Sequence, residues 1–200
     1  AEIRPGPTDA DGSRPGNGRS SANIRSLMVE GFFDSTVLYL YHDRAEKDRI
    51  LALFIERCVG QRTGLLFAYE RSTAHRRFQQ EVREGLISTC RLKADDPGRL
   101  DRALSAALSP GAARPVRPFR FVLDVPDSVA TDSVLGFAGR LAAIRDAGMP
   151  LGGIIAVSAF SGNDELAGAL AARIDRVVLT SGTGTAISCA ERASRFQAWR

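Results

Sequence analysis

Apolar residues along the chain fall into short continuous runs, and the stretches between these runs carry apolar residues at helical spacing. The runs are rich in β-branched and aromatic side chains, which favour strands. They predict strands over residues 36–41, 64–69, 86–92, 119–125, 153–158 and 176–180. The spacing between them predicts helices over residues 45–59, 73–85, 97–109, 132–147 and 164–174. Continuous apolar strands joined by helices predict an α/β fold, with a mainly parallel sheet and helices on both faces.

The two ends of the chain differ in composition from the part between them. Residues 1–26 are mostly Gly, Pro, Ser, Asp and Arg, so they cannot bury enough apolar surface to offset the entropy cost of ordering. We expect a disordered segment there, and a short basic arm is the alternative because arginine recurs in it. One domain is expected over residues 27–190, followed by a tail over residues 191–200 in which Phe196 and Trp199 could pack on the domain or on a partner.

Composition narrows the class of protein. With 44% hydrophobic and 25% charged residues, the chain resembles an ordinary globular protein. The net charge of +4 comes from arginines spread among nearly as many acids, which does not favour a nucleic-acid partner. No apolar run approaches the ~20 residues of a membrane helix, and the N-terminus shows no apolar leader. We therefore expect a cytoplasmic protein with no membrane partner.

The three cysteines, Cys58, Cys90 and Cys189, do not form a ligand pattern. Their number is odd, their spacing is wide, and no CxxC pair is present. These features predict buried free thiols and no metal site.

Polar residues stand where several predicted strands end. Because the carboxyl ends of parallel strands meet at one edge of a sheet, these side chains are expected at a common site. The predicted ligand-binding residues are Tyr41, His42, Asp43, Glu70, Asp124 and Ser158. For His42 a solvated loop position is the alternative, and for Glu70 and Asp124 the alternative is a structural role in caps, salt bridges or hydrogen bonds at the end of the sheet.

Three segments together resemble the RecA/KaiC superfamily. Residues 65–70 form an apolar strand that ends in Glu70, residues 121–124 are similar to a Walker B strand that ends in Asp124, and residues 170–179 resemble the family's closing helix and strand. The resemblance implies a RecA-like three-layer sandwich. In an active relative, it would make Glu70 the catalytic acid and Asp124 a magnesium ligand.

The phosphate loop of such enzymes is missing from the predicted first turn. A GxxxxGK[ST] loop needs glycines for backbone donors, a Lys for charge and a hydroxyl for magnesium. Residues 41–49 contain no glycine and no Ser or Thr, and they add Asp43, Glu46 and Asp48. Lys47 alone cannot form a phosphate cradle. We therefore predict no nucleotide cofactor, no metal and no catalytic residues.

A sandwich without its phosphate loop resembles the methanogen/methylotroph DcmR sensory (MEDS) domain. The matching residues are Leu40-Tyr41-His42-Asp43 and Leu53-Phe54-Ile55. This resemblance implies a non-catalytic sensory or regulatory role in signalling, with a small organic molecule or a protein partner bound at the carboxyl edge of the sheet. The alternatives are a divergent ATPase that uses Glu70 and Asp124, and an oligomeric scaffold.

Overall fold

The computed structural model describes residues 25–71, 74–93, 96, 98–109, 118–159, 164–180 and 187–191, the last range by its backbone alone. The predicted disorder of residues 1–24 and the predicted tail beyond residue 191 lie outside these ranges. Arg25 and Ser26, which end the segment predicted to be disordered, are helical and lead into a π-helical segment at Leu27–Gly31.

Strands and helices alternate along the described chain. The strands are β1 Thr36–Tyr41, β2 Gly64–Tyr69, β3 Ile87–Arg91, β4 Phe119–Asp124, β5 Leu151–Ser158, β6 Arg176–Thr180 and β7 Ile187–Glu191. The helices are α1 Arg44–Gly60, α2 Ala74–Arg77, α3 Gln79–Arg83, α4 Arg99–Leu108, α5 Thr131–Asp146 and α6 Asp164–Ala171.

The described strands form one sheet in the order β3-β2-β4-β5-β1-β6-β7. The pairings from β3 to β6 are all parallel, and β7 pairs antiparallel with β6. The predicted mainly parallel sheet is therefore confirmed, although β7 is not among the strands that the apolar pattern predicts.

Two hydrophobic clusters cover the two faces of the sheet, because alternate strand residues point to opposite faces. On β1, Leu38 and Leu40 join the cluster with α4, α5 and α6. Val37, Tyr39 and Tyr41 join the cluster with the π-helical segment and α1. The architecture is a three-layer α/β sandwich, as predicted, and is consistent with a RecA-like fold.

The connection between β1 and α1 determines what the carboxyl edge can bind. β1 ends at Tyr41 and α1 begins at Arg44, so only His42 and Asp43 lie between them. Two residues without glycine cannot wrap a triphosphate. The structure therefore lacks a phosphate loop at this position, in agreement with the sequence.

Candidate functional site

A cleft of about 430 Å³ opens at the carboxyl edge of the sheet, where β1, β2 and β4 end. The first turn of α1 and the residues that follow β2 and β4 form its walls. Open α/β sheets bind ligands at this edge. The residues that line the cleft are Tyr41, Arg44, Lys47, Asp48, Glu70, Arg71, Asp124, Val125, Pro126, Asp127 and Ser128.

The N-terminus of α1, which faces this edge, is capped by a side chain of the protein itself. Asp43 has extended backbone angles, and its Oδ1 accepts a hydrogen bond from the backbone N–H of Ala45 at 2.8 Å. A carboxylate at this position interacts favourably with the positive end of the helix dipole. Asp43 therefore occupies part of the place where a phosphate would bind in a P-loop protein.

Lys47 and Asp124 form a buried ion pair at the bottom of the cleft. Lys47 reaches from the first turn of α1 to the end of β4, and its Nζ donates to Oδ1 of Asp124 at 2.9 Å and to Oδ2 at 2.7 Å. The two side chains are only 8% and 9% exposed. A third charge is close by, because Lys47 Nζ lies 3.2 Å from Oδ1 of Asp48.

Burial and mutual attraction act in opposite directions on the pKa values of the pair. Burial alone would lower the pKa of Lys47, but the charge and hydrogen bonds of Asp124 outweigh burial, so this pKa lies above its usual value. Burial raises the pKa of Asp124, and Lys47 opposes that rise. Attraction between the two groups thus favours both charged forms against the loss of water.

Tyr41 forms the aromatic part of the cleft. Its side chain points to the α1 face of the sheet, and the ammonium of Lys47 lies over its ring, 5.1 Å from the centroid. This is within the range of a cation–π interaction. Burial raises the pKa of the Tyr41 hydroxyl, which is therefore neutral at physiological pH.

The outer part of the cleft carries loosely paired charges. Ser128 donates a long hydrogen bond of 3.4 Å from Oγ to Oε1 of Glu70. Arg44 and Asp127 lie 4.0 Å apart, with side chains that are 79% and 54% exposed. Contacts of this kind contribute little to stability, so these groups can reorient when a ligand enters.

Of the six residues predicted from the sequence, the structure brings three into the cleft: Tyr41, Glu70 and Asp124. The other three lie at the same edge of the sheet but do not line the cleft. Asp43 caps α1, whereas His42 and Ser158 are half-buried, and Ser158 is in register with Tyr41 on the neighbouring strand. Whether any of the six binds a ligand stays a prediction.

Sequence reasoning missed Lys47 as part of the site, because a lysine outside a glycine loop has no recognised partner. Two features of the sequence could have indicated it. A lysine stands in the first turn of the helix that follows β1, and another apolar strand, which finishes at the same edge of the sheet, ends in an acid. Such a lysine is long enough to reach the acid from a neighbouring position.

The described residues contain no group of three or more His, Cys, Asp or Glu that could hold a metal ion. At Asp124, both carboxylate oxygens accept hydrogen bonds from Lys47. Among the helices of the described residues, none is long and apolar enough to cross a membrane.

Comparison with protein families and with curated proteins returned no match. No protein-family model matches the sequence, and no curated protein matches it significantly.

Proposed function

We propose that this chain is a non-catalytic sensory or regulatory domain whose cleft binds a small organic ligand. The observation that carries the proposal is the Lys47–Asp124 pair, since it removes the two groups that nucleotide chemistry would need and leaves a cleft open above it. The sensory assignment also draws on the resemblance of residues 40–43 and 53–55 to the MEDS domain.

The bottom of the cleft is unsuited to a magnesium triphosphate. In P-loop enzymes a lysine neutralises the phosphates, and an acid at the end of a strand holds the metal. Here Lys47 and Asp124 neutralise each other, and Asp43 occupies the N-terminus of α1. A nucleotide would have to separate a buried ion pair, which costs several kcal/mol unless new partners replace both charges.

Size and composition of the cleft suit a small organic molecule. Ligand sites typically have volumes of roughly 300–1,000 Å³, and this cleft of about 430 Å³ lies at the lower end of that range. Tyr41, Val125 and Pro126 offer apolar contacts, and Ser128 and Glu70 offer hydrogen bonds. The lining is mainly charged and polar, with an apolar part at Tyr41, Val125 and Pro126, so the cleft suits a small molecule that carries both polar and apolar groups.

A fragment screen followed by two-dimensional NMR of the full chain tests the proposal. We expect binders whose chemical-shift changes concentrate on Tyr41, Glu70 and the residues after β4. We expect Tyr41→Ala to weaken these binders, because it removes the aromatic wall. A library without any binder at the cleft would contradict the proposal.

Calorimetry with ATP and magnesium tests the enzyme alternative, which one observation supports: Glu70 and Asp124 do share the cleft. We expect no micromolar binding and no hydrolysis in either the unmodified chain or Glu70→Gln. Turnover that is abolished by Glu70→Gln would replace the sensory assignment with an ATPase.

A further inference from the structure

The charged groups that line the cleft are not balanced. Four of them are carboxylates and three are cations, so the lining carries a net charge of −1. The imbalance matters because the charges that line a cleft act together on a ligand inside it. The affinity of a charged ligand will therefore depend on where the unmatched negative charge lies.

The positive charge deepest in the cleft is fully matched. Lys47 donates to both oxygens of Asp124 and also lies 3.2 Å from Asp48. These three groups together carry a charge of −1. An anion placed above them meets a neutralised lysine and an additional carboxylate, so Lys47 offers it no attraction.

The remaining cations lie where solvent screens them. Arg44 is 79% exposed and 4.0 Å from Asp127, and Arg71 is exposed. Exposed guanidinium groups contribute little to attraction, because water and salt screen them. Glu70, by contrast, is only half-exposed, and within the described part of the chain it accepts a long hydrogen bond from Ser128 at 3.4 Å.

The aromatic side of the cleft suits the hydrocarbon part of a ligand. The ammonium of Lys47 already lies 5.1 Å from the centroid of the Tyr41 ring, so the charge of a ligand is held elsewhere. Val125 and Pro126 lie beside it in the cleft and can contact the hydrocarbon part of a ligand.

From these contacts we infer that the cleft selects a small organic cation, with an ammonium group held near Glu70 and Asp48 and a hydrocarbon part held against Tyr41, Val125 and Pro126. The inference rests on the proposed function, because it names the chemical class of the ligand that the same cleft binds.

Three probes of the same shape and different charge test the inference. Cyclohexylammonium, cyclohexanol and cyclohexanecarboxylate are titrated into the full chain, and dissociation constants are taken from the NMR signals of Tyr41, Glu70 and Val125. We expect the ammonium to bind at least about threefold more tightly than the alcohol, as one partly screened ion pair would provide. We expect the carboxylate to bind most weakly, and the preference for the ammonium to shrink as salt is raised.

Glu70→Gln is the test variant and Glu84→Gln is its control. Both replacements remove one negative charge. Glu84 is an exposed residue at the end of α3, just before the start of β3, and therefore lies at the amino ends of the strands, away from the cleft. We expect Glu70→Gln to weaken ammonium binding about threefold more than alcohol binding, because glutamine keeps a hydrogen-bond acceptor but carries no charge. Glu84→Gln should change neither.

The outcomes separate the two proposals. Binding of the alcohol or carboxylate in the cleft as tightly as the ammonium would overturn the charge inference and leave the ligand-binding function standing. Ammonium binding that is unaffected by Glu70→Gln would overturn it as well. If none of the probes shifts the cleft signals, the charge inference fails, and a fragment screen that is also empty contradicts the proposed function itself.

Discussion

Lys47 supplies the positive charge that the buried carboxylate of Asp124 would otherwise need from a bound cation. An isolated carboxylate that is 9% exposed would be costly to ionise, and the ammonium of Lys47 at 2.7 Å offsets part of that cost. Removing one partner alone should therefore destabilise the protein more than removing both, because replacing both charges with apolar groups is often neutral or stabilising.

Lys47→Met is expected to lower the free energy of unfolding by about 3–5 kcal/mol, because it leaves Asp124 buried without a partner. Burial already raises the pKa of Asp124, and loss of Lys47 would raise it further. A raised folded-state pKa means that the variant gains stability as the pH falls and loses it as the pH rises. Urea unfolding at pH 5 and pH 8 measures both effects.

The control for this variant is the double replacement Lys47→Met with Asp124→Leu. It removes both charges and should recover most of the lost stability, without the pH dependence that the unpaired Asp124 adds. A loss below about 1 kcal/mol in Lys47→Met would show that Asp124 finds another partner.

Two other buried groups predict a loss of stability at alkaline pH. Burial raises the pKa of Tyr39 from 10.0 to about 12 and that of the Cys58 thiol from 9.0 to about 12. Because both folded-state values lie above the unfolded ones, their contribution is present below pH 9 and is lost between about pH 9 and pH 12. Each pKa unit corresponds to about 1.4 kcal/mol, so these two groups account for a loss of up to roughly 7 kcal/mol by pH 12.

Chemical unfolding at pH 8, 10 and 11 measures this loss, and Cys58→Ala provides the comparison. The variant is less stable at pH 8 because it leaves a small cavity, but its stability should fall less steeply with pH. An equal slope in both proteins would show that the Cys58 thiol does not contribute.

The sequence indicates three of the eleven residues that line the cleft, because strand ends are visible in it. Tyr41, Glu70 and Asp124 each stand at the end of an apolar run, and the parallel sheet brings them to one cleft. Lys47 is not predictable in the same way, because its role depends on the distance between two elements that lie far apart in sequence. The capping role of Asp43 likewise depends on where α1 begins.

At the scale of elements, one acid joins the starts of β1 and β6. Asp175 Oδ2 accepts hydrogen bonds from the backbone N–H of Thr36 at 2.9 Å and from its hydroxyl at 2.7 Å. Its other oxygen accepts from Arg145 at the end of α5. One carboxylate thus aligns two neighbouring strands and the helix that covers them.

Asp175→Ala is expected to destabilise the protein by about 2–3 kcal/mol, because it leaves the N–H of a buried strand residue without its acceptor. Thermal or urea unfolding measures the change. Asp146→Ala is the matched control, since Asp146 is 74% exposed and its Oδ1 makes a long, weak contact of 3.7 Å with Nε of Arg145. Equal effects of the two replacements would contradict the structural role of Asp175.

The predicted elements match the observed ones where local pattern and packing agree. The six predicted strands are present with ends that shift by up to two residues, as at β5, which begins at Leu151. The helix predicted over residues 73–85 is instead two short helices, because Phe78 leaves helical geometry at φ −111° and ψ 30° and its side chain is buried. β7 escapes prediction because its five residues become a strand by pairing with β6.

The start of β5 shows another limit of local pattern. A side-chain carbon on Gly152 would collide with the carbonyl oxygen of Phe33, and one on Gly153 would collide with the backbone and ring of Phe121. Both glycines are therefore required by neighbours that are distant in sequence. Their presence in an apolar strand would otherwise weaken it.

At the scale of the whole molecule, the two hydrophobic clusters are built from residues after position 27 among those that the structure describes. Removing residues 1–24 is therefore expected to change the melting temperature by no more than a few degrees, because almost no apolar side chain is lost. The truncated chain keeps Arg25, which donates to both carboxylate oxygens of Glu46 at 3.0 and 2.8 Å. Calorimetric melting compares the two chains, and a larger drop would show that the removed segment packs on the domain.

The Lys47–Asp124 pair also has a mechanical consequence. Lys47 belongs to α1 and Asp124 to the end of β4, so the pair cross-links α1 to β4. The first turn of α1 and the end of β4 cannot separate while this link is closed. Amide hydrogens in these two places, far apart in the chain, should therefore exchange with deuterium through a common opening event, and Lys47→Met should speed exchange in both together.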